Sequence, residues 1–528
     1  MGKQDLLKAI NLPFVKKNLN LHCRKVIQER YRMKKSNSSI AIALCIAATS
    51  FIAFSAHAEN PSFCVDFGKS AGRIKPLHGV NNAPMRYDAR GGKQREFKDA
   101  GIPFMRTHDT YGAWGGGHFI DIPNIFPNFD ADETDPKNYD FAFTDEYLKP
   151  IVNAGCRIYY RLGATIENNY RIKAYNIYPP KDFAKWARIC EHVIRHYNEG
   201  WANGHHWNIE YWEIWNEPEN PPMWSGTREQ FYELYRVAAN HLKSKFPKIK
   251  IGGYASCGFY TIDDPNKREN KLYATFVPWF KDFLAYIKNP ATKAPMDFFS
   301  WHIYVYAGTE IERIIHHADF ARKELDAAGF ADVESHLNEW NVFVPQYKNM
   351  TRFEIIKEPP CAARVLGAMT LMQRSRAIDA AMYYDACPTR AYCGLFYFPS
   401  LRTTPTYEAF RAFNVLYSLG EAAESSVGGA GLYALAAKDA TDKAFVIANA
   451  GPTDCTIIPS ANGCDGIKFT VRRLSETHRH LEIDGTWQAG EKLFIPSDSF
   501  VLVSTRSPEK SAEIIYTTRP LNGIDDGN

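Results

Sequence analysis

Short runs of β-forming residues alternate with longer helical patterns from about residue 76 to residue 420, and this alternation limits the possible folds more than any other feature. Strands that are separated by helices run parallel, and eight βα units in about 345 residues fit a closed (β/α)8 barrel with inserted loops. The predicted fold class is therefore α/β, with a TIM barrel at its centre. The predicted barrel strands cover residues 77–82, 103–108, 157–163, 209–215, 250–255, 298–304, 333–339 and 380–385.

After Gly420 the pattern changes to short alternating strands that are separated by glycine-containing turns. This pattern is typical of a small antiparallel β-sandwich, and residues 63–67 are expected to return and pair with it. The predicted organisation is an N-terminal extension with a signal peptide, a lead-in strand, the barrel, the β-sandwich and a tail, at residues 1–58, 59–75, 76–424, 425–518 and 519–528.

The first 58 residues have the pattern of an export signal. The basic segment Met33-Lys34-Lys35 precedes an apolar run at 40–54, and Ala56-His57-Ala58 offers small residues for cleavage. This predicts a signal peptide at about 33–58 and a secreted or periplasmic protein that begins at Glu59. The apolar run is short for a bilayer span, so no stable membrane insertion is expected after cleavage. Residues 1–32 are interpreted as an extension from a misplaced start codon, with a basic targeting tail as the alternative.

Composition excludes several other classes of protein. The net charge is only +4, and no basic stripe interleaved with aromatics follows residue 35, so a nucleic-acid partner is not expected. A Gly-x-Ser-x-Gly elbow is absent, which disfavours a serine hydrolase. The chain also lacks a Cys-x-x-Cys pair, so the sequence indicates neither a zinc site nor a cofactor. Nine cysteines follow Ala58, and the pairs best placed to form disulfides are Cys455 with Cys464 and Cys387 with Cys393.

The fourth predicted strand ends in an unusual group of residues. The sequence YWEIWNEPE at 211–219 halts at Pro218, which cannot continue a central strand. Alternation along an extended chain predicts that Tyr211, Glu213, Trp215 and Glu217 share one face. Acids on an aromatic strand face are costly in a core and are expected at a functional site. Glu213 lies deeper, and we expect it to form a structural buried pair with Arg106 or Arg161.

Active sites of such barrels lie at the C-terminal ends of the strands. Glu217 and Glu339 end the fourth and seventh predicted strands, so we expect both to face one cleft. Cleavage of a glycosidic bond requires a pair of carboxyl groups: one protonates the leaving oxygen and the other faces the anomeric carbon. The polar residues at predicted strand ends are Asn82, His108, Asp109, Asn216, Glu217, His302, Tyr304, Glu339 and Asp385.

Several of these segments together resemble glycoside hydrolase family 39 of clan A. They are WEIWNEPE at 212–219, MWSGT at 223–227, KIGG at 250–253, RTH at 106–108, WHIY at 301–304 and LNEW at 337–340. The resemblance implies a retaining mechanism with Glu217 as acid/base and Glu339 as nucleophile. It also implies that Asn216 bonds the sugar 2-hydroxyl, and that Arg106 and Tyr304 keep Glu339 ionised and oriented.

Further substrate contacts are predicted at strand ends. His108, Asp109 and His302 are candidate hydroxyl contacts, while Trp340, Tyr384 and the loop with Trp114 are candidates for stacking on a sugar ring. Many clan A enzymes have tryptophan at the end of strand eight, whereas this chain has MYYDAC at 382–387. This departure changes the floor of the first sugar subsite, where Asp385 could bind a hydroxyl.

The sequence thus predicts an exported retaining glycoside hydrolase that acts on oligosaccharides or polysaccharides, with β-xylosidase as the first assignment. An α-L-arabinosidase is the alternative within the family. Iduronidase is disfavoured because a uronate needs cationic contacts, and only Arg161 is an evident candidate at a strand end. A non-catalytic carbohydrate-binding protein on the same scaffold is the alternative of another class, and the presence of both glutamates speaks against it. The sugar, the linkage and the oligomeric state stay open.

Overall fold

A closed barrel of eight parallel strands confirms the predicted fold class. The computed structural model describes residues 61–83, 93–110, 118–165, 177–221, 223–344 and 347–512. A first strand, β1 (Ser62–Arg73), precedes the barrel. The barrel strands are β2 (Gly79–Asn81), β3 (Phe104–Arg106), β4 (Arg157–Leu162), β5 (Tyr211–Ile214), β6 (Lys250–Ser256), β7 (Phe298–Val305), β8 (Glu334–Val342) and β9 (Ala380–Tyr383).

Helices surround the barrel between successive strands. They are α1 (Gln94–Asp99), α2 (Ile122–Ile125), α3 (Ala142–Asn153), α4 (Phe183–Glu199), α5 (Arg228–Lys245), α6 (Pro265–Arg268), α7 (Phe276–Lys288), α8 (Arg313–Ala327), α9 (Arg352–Ile355), α10 (Pro359–Arg374) and α11 (Pro405–Leu419). Short 3₁₀ turns lie at Pro136–Asn138, Tyr260–Ile262 and Tyr273–Thr275.

The helix ends follow from local sequence. Thr227 caps α5 by accepting a hydrogen bond from the Gln230 backbone N–H, and Gln230 Oε1 accepts one from Thr227 N, which forms a capping box. At the C-terminal end of α4, Gly200 adopts a left-handed φ of 76°, a conformation that glycine reaches without steric cost. These signals define the start of α5 and the end of α4.

The barrel interior is apolar at one end and polar at the other. A layer of large side chains fills the end near the strand N-termini, and it comprises Phe104, Tyr159, Tyr211, Phe298, Ala380 and Met382. Arg106 and Glu213 lie two residues further along β3 and β5 and are fully buried. Because alternate residues of a strand point inward, each of these strands presents an apolar residue to the core and then a polar residue toward the site.

The predicted shared face of residues 211–217 is wrong beyond Ile214. The strand ends there, and Trp215 adopts a φ of 71°, which turns the chain out of the extended conformation. Trp215 therefore packs in the outer core, 6.1 Å from Trp186 and 5.2 Å from Trp224 between ring centroids. Glu217 also has a positive φ of 43° and lies in a turn rather than on a strand. Strand β8 is longer than predicted, since it continues past Glu339 to Val342.

A second, mostly antiparallel sheet follows the barrel, as predicted, and a two-stranded ribbon packs on one of its faces. Eight strands form the sheet in the order β14-β1-β10-β11-β12-β18-β15-β16, and β13 pairs with β17 in a separate ribbon. The strands are β10 (Glu421–Gly428), β11 (Leu432–Lys438), β12 (Lys443–Asn449), β13 (Cys455–Ile457), β14 (Ser460–Asn462), β15 (Phe469–Leu474), β16 (Glu482–Trp487), β17 (Leu493–Ile495) and β18 (Ser499–Ser504). The predicted boundary between residues 424 and 425 falls inside β10.

The two faces of this sheet have different neighbours. Side chains of β11 and β12 alternate between the barrel core, which includes Leu435 and Val446, and a smaller core under the ribbon, which includes Ala436 and Phe445. As expected, β1 returns to this sheet, where Ser62–Asp66 pair with Glu424–Gly428 of β10 in antiparallel register. One face of the sheet thus shares a continuous core with the barrel, whereas the opposite face packs in a separate core under the ribbon.

The nine cysteines of the described residues are all free, so neither candidate disulfide is formed. The Cys387 thiol instead contacts the Thr389 hydroxyl at 3.3 Å, while Cys393 is buried in the barrel core. The predicted signal peptide lies outside the described residues. Within those residues, no helix is both long and apolar enough to cross a bilayer.

Candidate active site

Glu339 is held by a hydroxyl and a cation at the C-terminal end of the barrel. Tyr304 Oη donates to Glu339 Oε1 at 2.5 Å, and Arg106 Nη1 donates to Glu339 Oε2 at 3.2 Å. The side chain is almost entirely buried, so both bonds act in a medium that screens charge weakly. The two predicted supporting residues are therefore in contact with the predicted nucleophile, which they orient.

Glu217 lies opposite Glu339, with His302 between them. His302 Nδ1 is 2.7 Å from Glu217 Oε1 and 3.6 Å from Glu339 Oε2. One carboxylate oxygen of each glutamate and a ring nitrogen of His302 lie within 4.8 Å of one another. The two glutamates, remote in sequence, thus converge on one point, because β5 and β7–β8 end at the same rim of the barrel.

Arg106 forms hydrogen bonds with four residues of the site. Its Nε donates to Glu213 Oε2 at 2.8 Å, and its two terminal nitrogens donate to Asn81, Asn216 and Glu339. Burial lowers the pKa of Arg106, but the charges of Glu213 and Glu339 outweigh this and raise it. The expected buried pair of Glu213 is therefore formed with Arg106, and a permanent cation lies beneath Glu339.

The three central groups share protons. Burial raises the pKa of Glu217, but the hydrogen bond and charge of His302 outweigh this and lower it. Burial raises the pKa of Glu339, and the charge of Glu217 adds to this against the opposing charges of His302 and Arg106. Burial lowers the pKa of His302, but both glutamates outweigh this and raise it. The two carboxyl groups thus favour the protonated form of His302, which lies between them.

A further carboxyl group, Glu219, lies immediately behind Glu217. Its Oε1 accepts hydrogen bonds from Ser256 Oγ at 2.9 Å and from Cys257 N at 2.7 Å. Burial raises the pKa of Glu219 to about 8, and the charge of Glu217 adds to this rise, while the hydrogen bonds from Ser256 and Cys257 oppose it. Glu219 therefore fastens the turn that carries Glu217 to the end of β6 without placing a second negative charge there. Glu219 is not among the residues predicted for the site, and its position in the segment WNEPE at 215–219 is the only sequence signal for it.

Asp109, His108 and Tyr384 form one side of the site. Tyr384 Oη donates to Asp109 Oδ2 at 2.7 Å, and Arg390 Nη2 donates to the Asp109 carbonyl at 2.5 Å. His108 Nε2 is 3.3 Å from Asp109 Oδ1. Burial and the nearby cations Arg106 and Arg161 hold the pKa of His108 well below its ordinary value, so this ring stays neutral. The structure thus brings three predicted contacts into one network, to which it adds Arg390.

Asp385 and Trp340 do not reach the surface. Asp385 is fully buried, and its Oδ1 accepts from Cys387 N at 3.2 Å, so it supports the site from beneath instead of offering itself to a hydroxyl. Trp340 is also fully buried and packs edge-on against Tyr383, which removes it as a stacking platform. Trp114 lies outside the described residues. Tyr306 instead offers an exposed aromatic ring, stacked on Phe343 with centroids 5.9 Å apart.

Arg161, the candidate contact for a uronate, is already neutralised. Its Nη2 donates to Asp121 Oδ1 at 2.7 Å, and both side chains are fully buried. Asp121 Oδ2 also accepts from the backbone and hydroxyl of Thr165. This pair stabilises the start of the loop after β4, and it balances the charge of Arg161 within the protein, so Arg161 itself is not offered to a substrate carboxylate.

A parallel eight-stranded barrel with two converging glutamates at its C-terminal rim defines the class of barrel enzymes that act on glycosidic bonds. The model of the glycosyl hydrolases of family 39 matches residues 99–368, which is just over half of the chain. The chain therefore belongs to family 39 of the glycosyl hydrolases, as the sequence resemblance predicted.

Individual relatives are more distant. A curated β-xylosidase of Geobacillus stearothermophilus is 26% identical over 199 residues, which cover 36% of this chain and 35% of that protein. A glucosidase of Croceicoccus marinus is 22% identical with a TM-score of 0.67, over 85% of this chain and 99% of that one. A family 39 β-xylosidase of Caulobacter crescentus is 16% identical with a TM-score of 0.58, over 84% and 100%. At these identities the solved structures establish the fold, and the chain aligns with only about a third of the first relative.

Proposed function

We propose that this protein is a retaining glycoside hydrolase that cleaves β-xylosidic bonds in oligosaccharides. The observation that carries the proposal is the approach of Glu217 and Glu339, since one carboxylate oxygen of each lies within 4.8 Å of the other. Retaining enzymes separate their carboxyl groups by about 5 to 5.5 Å, whereas inverting enzymes need about 6.5 to 9.5 Å to admit a water molecule. The short separation therefore favours direct attack by a carboxylate.

In the first step of the proposed reaction, Glu339 attacks the anomeric carbon while the bond to the leaving oxygen breaks. Glu217 gives its proton to that oxygen, and a covalent glycosyl-enzyme forms. In the second step, Glu217 takes a proton from water, the water oxygen attacks the anomeric carbon and Glu339 leaves. Two inversions at the same carbon return the original configuration.

The contacts of each glutamate suit these roles. Tyr304 and Arg106 both donate to Glu339, which favours its anionic form as substrate binds. Glu217 obtains its proton from His302 Nδ1, which is 2.7 Å away, once a bound sugar separates Glu217 from solvent. Arg106 donates to the oxygen of Asn216, so the amide NH₂ of Asn216 is left to donate to the sugar 2-hydroxyl.

The choice of xylose rests on relatives, since the curated protein from Geobacillus stearothermophilus is named a β-xylosidase. The direct test compares nitrophenyl β-xyloside, β-glucoside and α-L-arabinofuranoside as substrates. We expect the highest kcat/KM with the xyloside and a β-configured first product by NMR. A higher kcat/KM with the arabinofuranoside would establish the α-L-arabinosidase alternative, and an α-configured first product from the xyloside would refute the retaining mechanism.

Variants separate the two catalytic roles. We expect Glu217→Ala and Glu339→Ala each to lower kcat on the xyloside by roughly a thousandfold or more. Added azide should restore turnover in both, with β-xylosyl azide from Glu217→Ala and α-xylosyl azide from Glu339→Ala, because azide replaces water in one case and the nucleophile in the other. Glu229→Gln, an exposed change on α5, is the control. Activity in both alanine variants equal to wild type would refute the assignment and favour a binding protein.

We also propose that the enzyme is exported, on the basis of the signal pattern at residues 33–58. Fractionation of cells that express the full chain should place the activity outside the cytoplasm. The mature protein should begin at Glu59 on N-terminal sequencing. Full-length protein in the cytoplasmic fraction alone would refute this location.

A further inference from the structure

A second group of metal-ligating side chains lies in the helical layer outside the barrel. Asp145 is in the first turn of α3, His196 is in the last turn of α4, and His205 is in the connection from α4 to β5. One ligand atom from each of the three lies within 4.8 Å of the others. The fold thus brings together two imidazoles and a carboxylate that are up to 60 positions apart (205 minus 145).

The separations within this group match the edges of a tetrahedral coordination sphere. Zinc binds imidazole nitrogen and carboxylate oxygen at about 2.0 to 2.2 Å, and a tetrahedral angle then places neighbouring ligand atoms about 3.3 Å apart. His196 Nε2 is 3.1 Å and 3.2 Å from the two Asp145 oxygens, and His205 Nε2 is 3.6 Å from Asp145 Oδ1. The separations between Asp145 and each imidazole therefore fit a single bound ion.

The hydrogen bonds of the two rings also favour a cation. His196 Nδ1 lies 2.9 Å from the Trp201 carbonyl, which can only accept, so Nδ1 carries a proton and Nε2 is the atom that faces Asp145. A backbone carbonyl on the second ring nitrogen is the usual support of a metal-binding histidine. Among the described residues, His205 Nε2 has no hydrogen-bond partner although it is sheltered from solvent. A second proton on His196 would give Asp145 a donor but leave His205 Nε2 without a partner, whereas a bound ion would coordinate all three groups.

Both rings are fixed in place by aromatic neighbours. Phe141 stacks on His196 with centroids 3.6 Å apart and planes 2° apart, and Trp207 stacks on His205 at 4.0 Å and 12°. The connection that carries His205 includes Ala202 and Asn203 at left-handed φ values of 58° and 56°, which cost energy in residues with a Cβ. The orientation of the ligands is thus built into the fold, at a cost that a bound ion would offset.

We propose that Asp145, His196 and His205 bind one Zn²⁺ ion, with solvent completing the tetrahedron. About a quarter of the Asp145 and His205 side chains is exposed, which gives an ion access, while His196 is buried. The ion joins α3, α4 and the connection that leads into β5, the strand directly before Glu217. Its role is to stabilise this part of the barrel, and it is independent of the proposed glycosidase activity.

The test uses the full, untagged chain after dialysis against a chelator. Calorimetric titration with ZnCl₂ should show one strong site per chain, the thermal midpoint should rise with zinc, and Co²⁺ should give the intense visible bands of tetrahedral coordination. Asp145→Asn keeps the shape of the side chain, and His205→Gln removes the more exposed ligand. We expect each to weaken binding by at least about tenfold, while His206→Gln, at the exposed neighbouring histidine, binds as wild type does.

The Glu217, His302 and Glu339 group could also attract a cation, so Glu339→Gln is included as a second control. Binding that is lost in Glu339→Gln but kept in Asp145→Asn would overturn the proposal, because the ion would then lie in the active site. Absence of a stoichiometric site in wild-type protein would overturn it as well, whether or not either variant folds. Loss of zinc affinity in Asp145→Asn and His205→Gln, with Glu339→Gln unchanged, is the expected result.

Discussion

Replacement of Glu219 by glutamine should make the protein more stable at high pH and leave its stability at low pH nearly unchanged. The native carboxyl group is buried behind Glu217, and its pKa is raised to about 8 from an ordinary value of 4.5. Below pH 4.5 the group is protonated in both the folded and the unfolded chain. Between 4.5 and 8 only the folded chain holds the proton, so wild-type stability falls as pH rises.

The size of the stability loss follows from the pKa of Glu219 in the folded chain and its ordinary pKa in the unfolded chain. Their difference is about 3.5, and each unit of pKa corresponds to 1.36 kcal/mol, so the loss approaches about 5 kcal/mol above pH 8 as an upper limit. Glutamine carries no charge at any pH, and its oxygen can still accept from Ser256 Oγ and Cys257 N. The free energy of unfolding of the variant therefore does not fall between pH 4.5 and 8, whereas that of the wild-type protein does.

Urea unfolding followed by tryptophan fluorescence at pH 5, 7 and 9 measures this difference. We expect the free energies of unfolding of the two proteins to lie within about 1 kcal/mol at pH 5 and to separate by several kcal/mol at pH 9. Glu229→Gln, at an exposed position on α5, should follow the wild type throughout. A difference between Glu219→Gln and wild type that stays constant from pH 5 to pH 9 would refute the reasoning.

Three further changes test other parts of the structure. Tyr304→Phe removes the hydroxyl that donates to Glu339, and kcat/KM should fall about 10- to 100-fold with little change in folding. Asp385→Asn should remove a pH-dependent loss of stability of up to about 4 kcal/mol between pH 4 and 7, because burial raises the pKa of Asp385 to about 7, and a constant difference in urea midpoint across that range would contradict it. Thr227→Ala should cost about 1 kcal/mol through loss of the α5 cap while kcat/KM is unchanged, and an unaltered unfolding midpoint would show that the cap contributes nothing.

The barrel could be predicted from sequence because its signals are local. Strands buried on both sides read as short apolar runs, and amphipathic helices such as α4 have a period of 3.6 residues. The strands predicted after Gly420 begin only at residue 444, so β10 and β11 are not among them. Their sequences, EAAESSVG and LYALAAK, are rich in alanine, which favours helices. Burial between the barrel and the ribbon overrides this preference, and burial is set by residues far away in the chain.

The two principal glutamates were also predictable, whereas their supporting residues were less so. Glu217 and Glu339 could be identified from motifs at strand ends, but the turn at Trp215 depends on a left-handed backbone that no simple alternation anticipates. Asp121 and the metal-ligating group at Asp145 have no sequence motif, because their partners come from separate helices and loops. Long-range pairing of single polar residues is visible only once the chain is folded.

The position of β1 affects how the molecule is made. This strand lies between β14 and β10, and its neighbour β10 starts at Glu421, which follows Arg73 by 348 residues (421 minus 73). During synthesis, the segment that leaves the ribosome early must therefore wait, unpaired along both edges, until nearly the whole polypeptide has emerged. Such a nascent chain needs either rapid folding of the barrel or a chaperone, because the unpaired β1 could otherwise pair with the same strand of neighbouring chains.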